Sequence, residues 1–328
     1  MENKNILIYA ELGAEKLDPS CYELLSKSRS LFGDDAQLAV AVLGCGVEGA
    51  AHEAAAAGAD LVFKLDDEKL AVYNVDYYSA ALEEINELFQ PHVILMTAGS
   101  TGEELAPTMG LRLNTGVAAH CVDLCLDDEG QLVQMVPAFG GKVIGEIYTP
   151  DSIPQIASVK PGTFNAEPLP QREAEIVTVS GRRLEDTDSA IRAISVQKKE
   201  AGSMPIEKAP VIVCGGFGVG SEENWQQLEK LAHLLGGTTG CTRPALDSGW
   251  TDDEQKMIGT SGKNVRPKVY IGSGVSGATH HVCGMKDSGV IISINNDEEA
   301  EMFKSSDYKV VADGAKIISA LCDALEDR

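Results

Sequence analysis

The chain alternates short apolar runs with amphipathic helical patterns, and it starts that alternation twice. In the first half, residues 5–10, 37–43, 60–65 and 92–97 read as strands. Helices are expected between them over 22–32, 47–57 and 79–88. Strands linked through helices pair in parallel, so this half should build a mostly parallel sheet. From about residue 116 to 179 the pattern changes, and short β-like runs at 156–159 and 175–179 sit among glycines and prolines. They read as a β-rich extension of the first domain. Residues 186–199 are expected to form a connecting helix and EAGSMPIEKAP a linker, which divides the chain into domains 1–204 and 205–328.

The rhythm restarts with a strand at 211–214 and the glycine turn 215–220. A helix over 222–235 then places Trp225, Leu228, Leu231, Ala232 and Leu235 on one face. Further strands are expected at 268–272, 289–294 and 309–312, and a terminal helix should bury Ile317, Ile318, Leu321 and Leu325. About 120 residues with four or five parallel strands suit a flavodoxin-like doubly wound sheet.

Composition narrows the function. The formal charge of −23 repels phosphate backbones and anionic membranes, which argues against nucleic acid and lipid surfaces as partners. The eight cysteines form no C-x-x-C pair and no zinc spacing, so they read as buried thiols in a reducing compartment. The first residues lead directly into a short strand without a signal-type apolar region, and nowhere do eighteen apolar residues run together. A cytoplasmic protein is expected.

One motif invites a specific reading. In GSGVSGATHHVCGMKDS, the residues Gly272, Gly274 and Gly277 spell G-x-G-x-x-G behind the run Val269-Tyr270-Ile271. Asp297 lies where the dinucleotide fingerprint wants an acid. A stand-alone NAD-dependent dehydrogenase is therefore one alternative, and a nucleotide-sensing binding module another. Only 51 residues follow Gly277, too few for the six-strand sheet that this fingerprint opens. The first half also offers no acid–base candidate, since His52 falls in a helix and His120 among small residues. The turns of the second half instead converge: 215–220, 240–243, 259–263, 274–281, 295–297 and 313–314 are each read as following a strand. Any one of them is ordinary for an α/β protein. Together they suit an extended ligand, with a pyrophosphate on the free N–H groups at helix starts.

The segment SGATHHVCGMKDSGVIISINNDEEAEMF resembles the C-terminal signature of electron transfer flavoprotein α subunits. GCTRPALDSGW, IGTSGKNVRPKVYI and SDYKVVADG extend the likeness, and TAGSTGEELAPTMGLRLNTGVAAHCVDL and PAFGGKVIGEI carry it into the first half. The resemblance implies a first domain that pairs with a β subunit and a second that binds FAD. Electrons would pass between a flavin dehydrogenase of the acyl-CoA-dehydrogenase type and an acceptor, with electron bifurcation left open. By the same resemblance, Thr242 and Arg243 match a flavin-contacting Ser-Arg pair. Ile258, Gly259, Thr260 and Ser261 match the segment whose hydroxyl reaches the flavin N5. Ser276, Gly277, Ala278, Thr279, His280 and His281 match a loop whose histidine, here His281, lies near the pyrimidine end of the ring. His280 stands where the family usually has glutamine. Asn295, Asp313 and Gly314 match positions around the adenosine half. Arg243 and His281 are thus expected to offer positive charge or hydrogen bonds to the ring. Phe217 departs from the pattern, because the family commonly has arginine there.

Overall fold

The computed structural model describes residues 5–13, 16–138, 143–170, 172–196 and 204–326. Its chain divides into two units, Met1–Val196 and Gln197–Arg328.

In the first unit the elements run β1 (Asn5–Tyr9), β2 (Leu12–Gly13), β3 (Lys16–Leu17), α1 (Pro19–Phe32), β4 (Gln37–Gly44), α2 (Glu48–Ala56), β5 (Leu61–Asp66), α3 (Val75–Phe89), β6 (Val93–Thr97) and α4 (Gly102–Arg112). They continue as β7 (Val117–Cys121), β8 (Asp123–Leu126), β9 (Leu132–Ala138), β10 (Val143–Ile147), β11 (Gln155–Val159), β12 (Glu175–Thr178) and the short α5 (Arg182–Glu185). Seven strands form one sheet in the order β12-β5-β4-β1-β6-β11-β7, and every pair in it is parallel. Helices cover both faces, so β4 is buried at every position after Gln37 and reads as one apolar run. The β-rich stretch supplies β11 and β12 to this sheet, while β8, β9 and β10 form a separate antiparallel one.

Two departures from expectation have local causes. Helix α4 was not anticipated, because Pro107 and two glycines dilute its apolar period. Gly102 is required there, since a Cβ would lie 1.9 Å from the Thr97 carbonyl oxygen. The connecting helix expected at 186–199 does not form in its described part, 186–196. The chain stays irregular after Glu185, with Ile191 and Ile194 exposed and no face to bury; residues 197–199 lie outside the described residues.

Glu84 of α3 is buried and serves as an anchor. It accepts from Ser180 Oγ (2.6 Å) and from the Arg183 N–H (3.0 Å), holding the start of α5. Burial alone would raise its pKa. The bonds from Ser180, Arg183 and Arg182, with the Arg182 charge, win and hold it below the usual carboxylate value. Its stabilisation is therefore present above the unfolded-state pKa and lost as pH falls through the lowered folded one. Glu84→Gln is expected to cost roughly 1–2 kcal/mol at pH 7 and less in acid. Urea unfolding at pH 7 and pH 3.5 checks this; equal losses at both would contradict it.

The second unit runs β13 (Val211–Gly215), α6 (Glu222–Leu234), β14 (Thr238–Cys241), α7 (Arg243–Asp247), β15 (Val269–Ser273), α8 (Thr279–Val282), β16 (Val290–Asn295), β17 (Tyr308–Val311) and α9 (Gly314–Glu326). Its five strands are all parallel, in the order β14-β13-β15-β16-β17. Counted within the unit this is 2-1-3-4-5, the flavodoxin-like order, with its switch between β13 and β15. The period of two sorts side chains between two cores. Val213 and Ile271 face Trp225, Leu228 and Leu231 of α6 and Ile318 of α9. Ile212, Cys214 and Tyr270 face Ile258, Val275 and Met285. Ile206 and Ala209 join this second core, so that part of the expected linker is packed structure; residues 200–203 lie outside the described residues. Leu321, expected to be buried, is exposed, because Ile318 and Cys322 set the inward face of α9.

Candidate functional site

A cleft of about 590 Å³ opens at the carboxyl ends of β13, β14, β15 and β16, on the switch in strand order. Its floor is made by two turns that lie backbone on backbone. Gly216 N donates to Ser273 O (2.9 Å) and Gly218 N to Gly274 O (3.0 Å). Gly274 has φ 64°, and a Cβ on it would lie 2.5 Å from the Gly218 carbonyl carbon. Only glycine satisfies both conditions. A shallower hollow of about 400 Å³ in the first unit, beside Pro107, Leu111 and Asn114, gathers no titratable side chain.

Ten of the residues singled out in the sequence line the cleft: Phe217, Thr242, Arg243, Ile258, Ser261, Ser276, Ala278, His280, His281 and Asn295. Gly259, Thr260, Gly277, Thr279, Asp313 and Gly314 do not. Gly277 abuts Met302, where a Cβ would meet the backbone nitrogen at 2.1 Å, and Asp313 caps α9 through Ala315 N (3.0 Å). Asp297, at the end of the 295–297 turn, lines the cleft as well, and so do Glu299 and Glu301, which the sequence reading did not single out. The signal was there, in an acidic run directly after a strand end.

The polar groups of the cleft fall into two kinds. Some are unsatisfied: Thr242 Oγ1 is buried without a partner among the described residues. The N–H groups of Ser276 and Ala278 in the cleft lining, and of Gly277 between them, donate to no described acceptor. A buried hydroxyl and three adjacent free donors form a cradle for a polar, anionic ligand. Others are already engaged. Arg243 is exposed, with Nε donating to Asp247 Oδ1 (2.8 Å). Thr260 Oγ1 and His280 Nδ1 lie 3.2 Å apart at the surface. Phe217, 67 % exposed, stacks on Trp250 at a centroid distance of 5.8 Å.

His281 corrects an expectation. Its ring is buried, with Nδ1 3.1 Å from Ile258 O and Nε2 2.8 Å from Tyr270 Oη. Burial lowers its pKa to about 4, against a smaller opposing effect of the Ile258 bond. It is therefore neutral at pH 7, and both nitrogens are spent inside the protein. It offers the cleft neither positive charge nor a hydrogen bond. Arg243 is the cation that remains.

The helix-start account is corrected as well. The first turn of α6 is capped by Ser221 and carries Glu222 and Glu223, which repel an anion, and α7 and α8 have only five and four residues. The free N–H groups lie instead in the loop before α8. The turn at 259–263 follows no strand; it hangs from isolated pairings of Cys241 with Met257 and Ile258 with Lys263. The dinucleotide fingerprint is not built either, because Gly272 lies inside β15 and the helix that follows is a single turn.

Comparison with known proteins agrees with this architecture. Residues 6–184 match the electron transfer flavoprotein domain, and residues 205–286 match the electron transfer flavoprotein FAD-binding domain. An electron transfer flavoprotein subunit alpha from Thermoanaerobacterium thermosaccharolyticum is 36 % identical, over 98 % of this chain and 98 % of its own. A protein FixB from Bradyrhizobium diazoefficiens is 33 % identical, over 99 % of this chain and 89 % of its own. The LctC subunit of a lactate dehydrogenase (NAD(+),ferredoxin) from Acetobacterium woodii is 33 % identical, over 98 % and 77 %. With both units matched in order and a flavodoxin-like cleft in the second, the chain belongs to the electron transfer flavoprotein α-subunit family, whose cofactor is FAD.

Proposed function

We propose that this α subunit, paired with an electron transfer flavoprotein β subunit in the cytoplasm, carries electrons from a flavoprotein dehydrogenase of the acyl-CoA-dehydrogenase type to an acceptor. The observation that carries this reading is the set of unsatisfied groups in the cleft: Thr242 Oγ1 and the N–H groups of Ser276, Gly277 and Ala278. Bound FAD supplies one- and two-electron redox chemistry. The chain's own residues hold it. The three N–H groups take the pyrophosphate, Thr242 gains its missing partner, and Ser261 and Arg243 contact the ring system. Asn295, with Asp313 and Gly314 beyond β17, suits the adenosine half. In the first unit Val143, Ile144 and Tyr148 expose apolar surface that a β subunit would cover. Among the described residues no helix is long and apolar enough to cross a membrane. Likeness to the LctC subunit favours a second reading, in which the complex divides electrons between an NAD-linked and a ferredoxin-linked route.

Purification of the co-expressed heterodimer tests the proposal. FAD should co-purify and be reducible by an acyl-CoA dehydrogenase with its substrate. A flavin-free complex that binds NADH would overturn it.

Phe217 adds a prediction. An exposed ring stacked on Trp250 offers no charge to the FAD phosphates. Phe217→Arg is expected to tighten FAD binding about tenfold, the worth of one charge-assisted hydrogen bond. Flavin fluorescence titration of the apo-heterodimer measures it, and an unchanged dissociation constant would dismiss the idea.

A further inference from the structure

Beneath the cleft, Tyr270 is wholly buried and takes part in none of the roles above. The chemistry of its partners settles which atom donates. The Ile258 carbonyl oxygen only accepts, so the Nδ1 of His281, 3.1 Å away, carries the proton. In a neutral ring Nε2 is then a bare acceptor, and the Tyr270 hydroxyl at 2.8 Å donates to it. Cys214 Sγ, from the adjacent strand, is the other titratable group against the ring, at a longer 3.8 Å. His281 thereby joins two walls of the cleft. Its ring holds Ile258 of one loop, while the neighbouring His280 carbonyl accepts from Thr260 N (2.8 Å) of the same loop. Gly284 O accepts from Val265 N (2.8 Å) further along.

Gly272 explains how the tyrosine reaches this point. A Cβ there would lie 3.0 Å from Tyr270 Cε1 and 3.5 Å from its hydroxyl oxygen. The bare backbone lets the ring lie along β15 toward the strand's carboxyl end. The first glycine of the G-x-G-x-x-G run thus has a use unrelated to dinucleotides.

We propose that Tyr270 is a positioning residue: laid over Gly272, its hydroxyl donates to Nε2 and holds the Nδ1-protonated His281 ring where it ties the 258–263 loop to the 278–284 loop and sets the spacing of the cleft walls. The consequence for cofactor binding rests on the FAD reading above; the assignment of the ring does not.

The test uses the heterodimer with ¹⁵N-labelled histidine, of which this chain has six. The His281 signal is identified by its loss in His281→Gln. Two-bond ¹⁵N–¹H correlation should show a protonated Nδ1 and a bare Nε2 at pH 7. A cationic or Nε2-protonated ring overturns the proposal, with or without flavin. Tyr270→Phe should leave Nδ1 protonated, move the Nε2 shift to that of an acceptor without a donor, and make FAD dissociate about tenfold faster, the loss of one buried hydrogen bond. Gly272→Ala should move both readouts the same way by displacing the ring, and it decides the matter should Tyr270→Phe not fold. Cys214→Ala should move neither. Unchanged ring shifts and FAD release in Tyr270→Phe and Gly272→Ala overturn the proposal. If the wild-type complex binds no FAD, the functional reading fails, and the ring spectra alone decide the role of Tyr270.

Discussion

Lowering the pH from 7.5 to 4 is expected to cost the second unit roughly 3 kcal/mol through His281 alone. Above pH 6.5 the imidazole is neutral in folded and unfolded chains, and its contribution is complete. Below that, the unfolded chain takes up a proton that the folded one refuses until about pH 4, because burial has lowered the folded pKa. Stability should therefore fall by about 1.4 kcal/mol per pH unit across this window. The cause is structural. A second proton would have to sit on Nε2, where Tyr270 now donates, and would leave a charge in a site with no anion bonded to the ring. His281→Gln is the control, since an amide can donate to Ile258 O and accept from Tyr270 but cannot titrate. Denaturant unfolding of both proteins across pH 4–7.5 should show the wild type losing about 3 kcal/mol more than the variant. Parallel curves would mean that His281 is not the group responsible.

The second large effect belongs to Gly274. Its φ of 64° is strained for an alanine, and the added Cβ would press 2.5 Å from the Gly218 carbonyl carbon and 2.7 Å from its Cα. These contacts are with backbone, so no side chain can rotate away. Relief requires the β13 and β15 turns to separate, which breaks the bond from Gly218 N to Gly274 O. Gly274→Ala is expected to destabilise the unit by roughly 3 kcal/mol or more and to release FAD from the purified heterodimer. Gly220→Ala is the comparison, because its φ of 81° is also positive but a Cβ there meets nothing within 4 Å. It should cost only about 1 kcal/mol of backbone strain. Thermal unfolding and the flavin-to-protein absorbance ratio measure both variants. If the two cost the same, close approach of the turns contributes nothing and only φ matters.

The sequence by itself determined what depends on near neighbours along the chain. The period of α6 named its inward face of Trp225, Leu228, Leu231, Ala232 and Leu235, all buried but the half-buried Leu235, because residues three and four apart share a helix face whatever lies opposite. The restart of the α/β alternation and the short span after Gly277 were enough for a five-strand doubly wound unit and against a six-strand one. Local pattern failed where local signals conflict. Pro107 hid α4, and the apolar residues of 186–196 resembled a helix face but found no surface to bury. The site divided along the same line. Ten cleft residues were identified from the sequence through motifs at strand ends and family likeness, since strand ends in such a sheet converge. What those residues do was decided by contacts between distant positions. His281 meets Tyr270 eleven residues away, Ile258 twenty-three away and Cys214 sixty-seven away, and these partners turn an expected source of charge or hydrogen bonds into a neutral, buried tie. Hydrogen-bond partners and burial set the charge of a histidine, and both exist only once the strands have assembled.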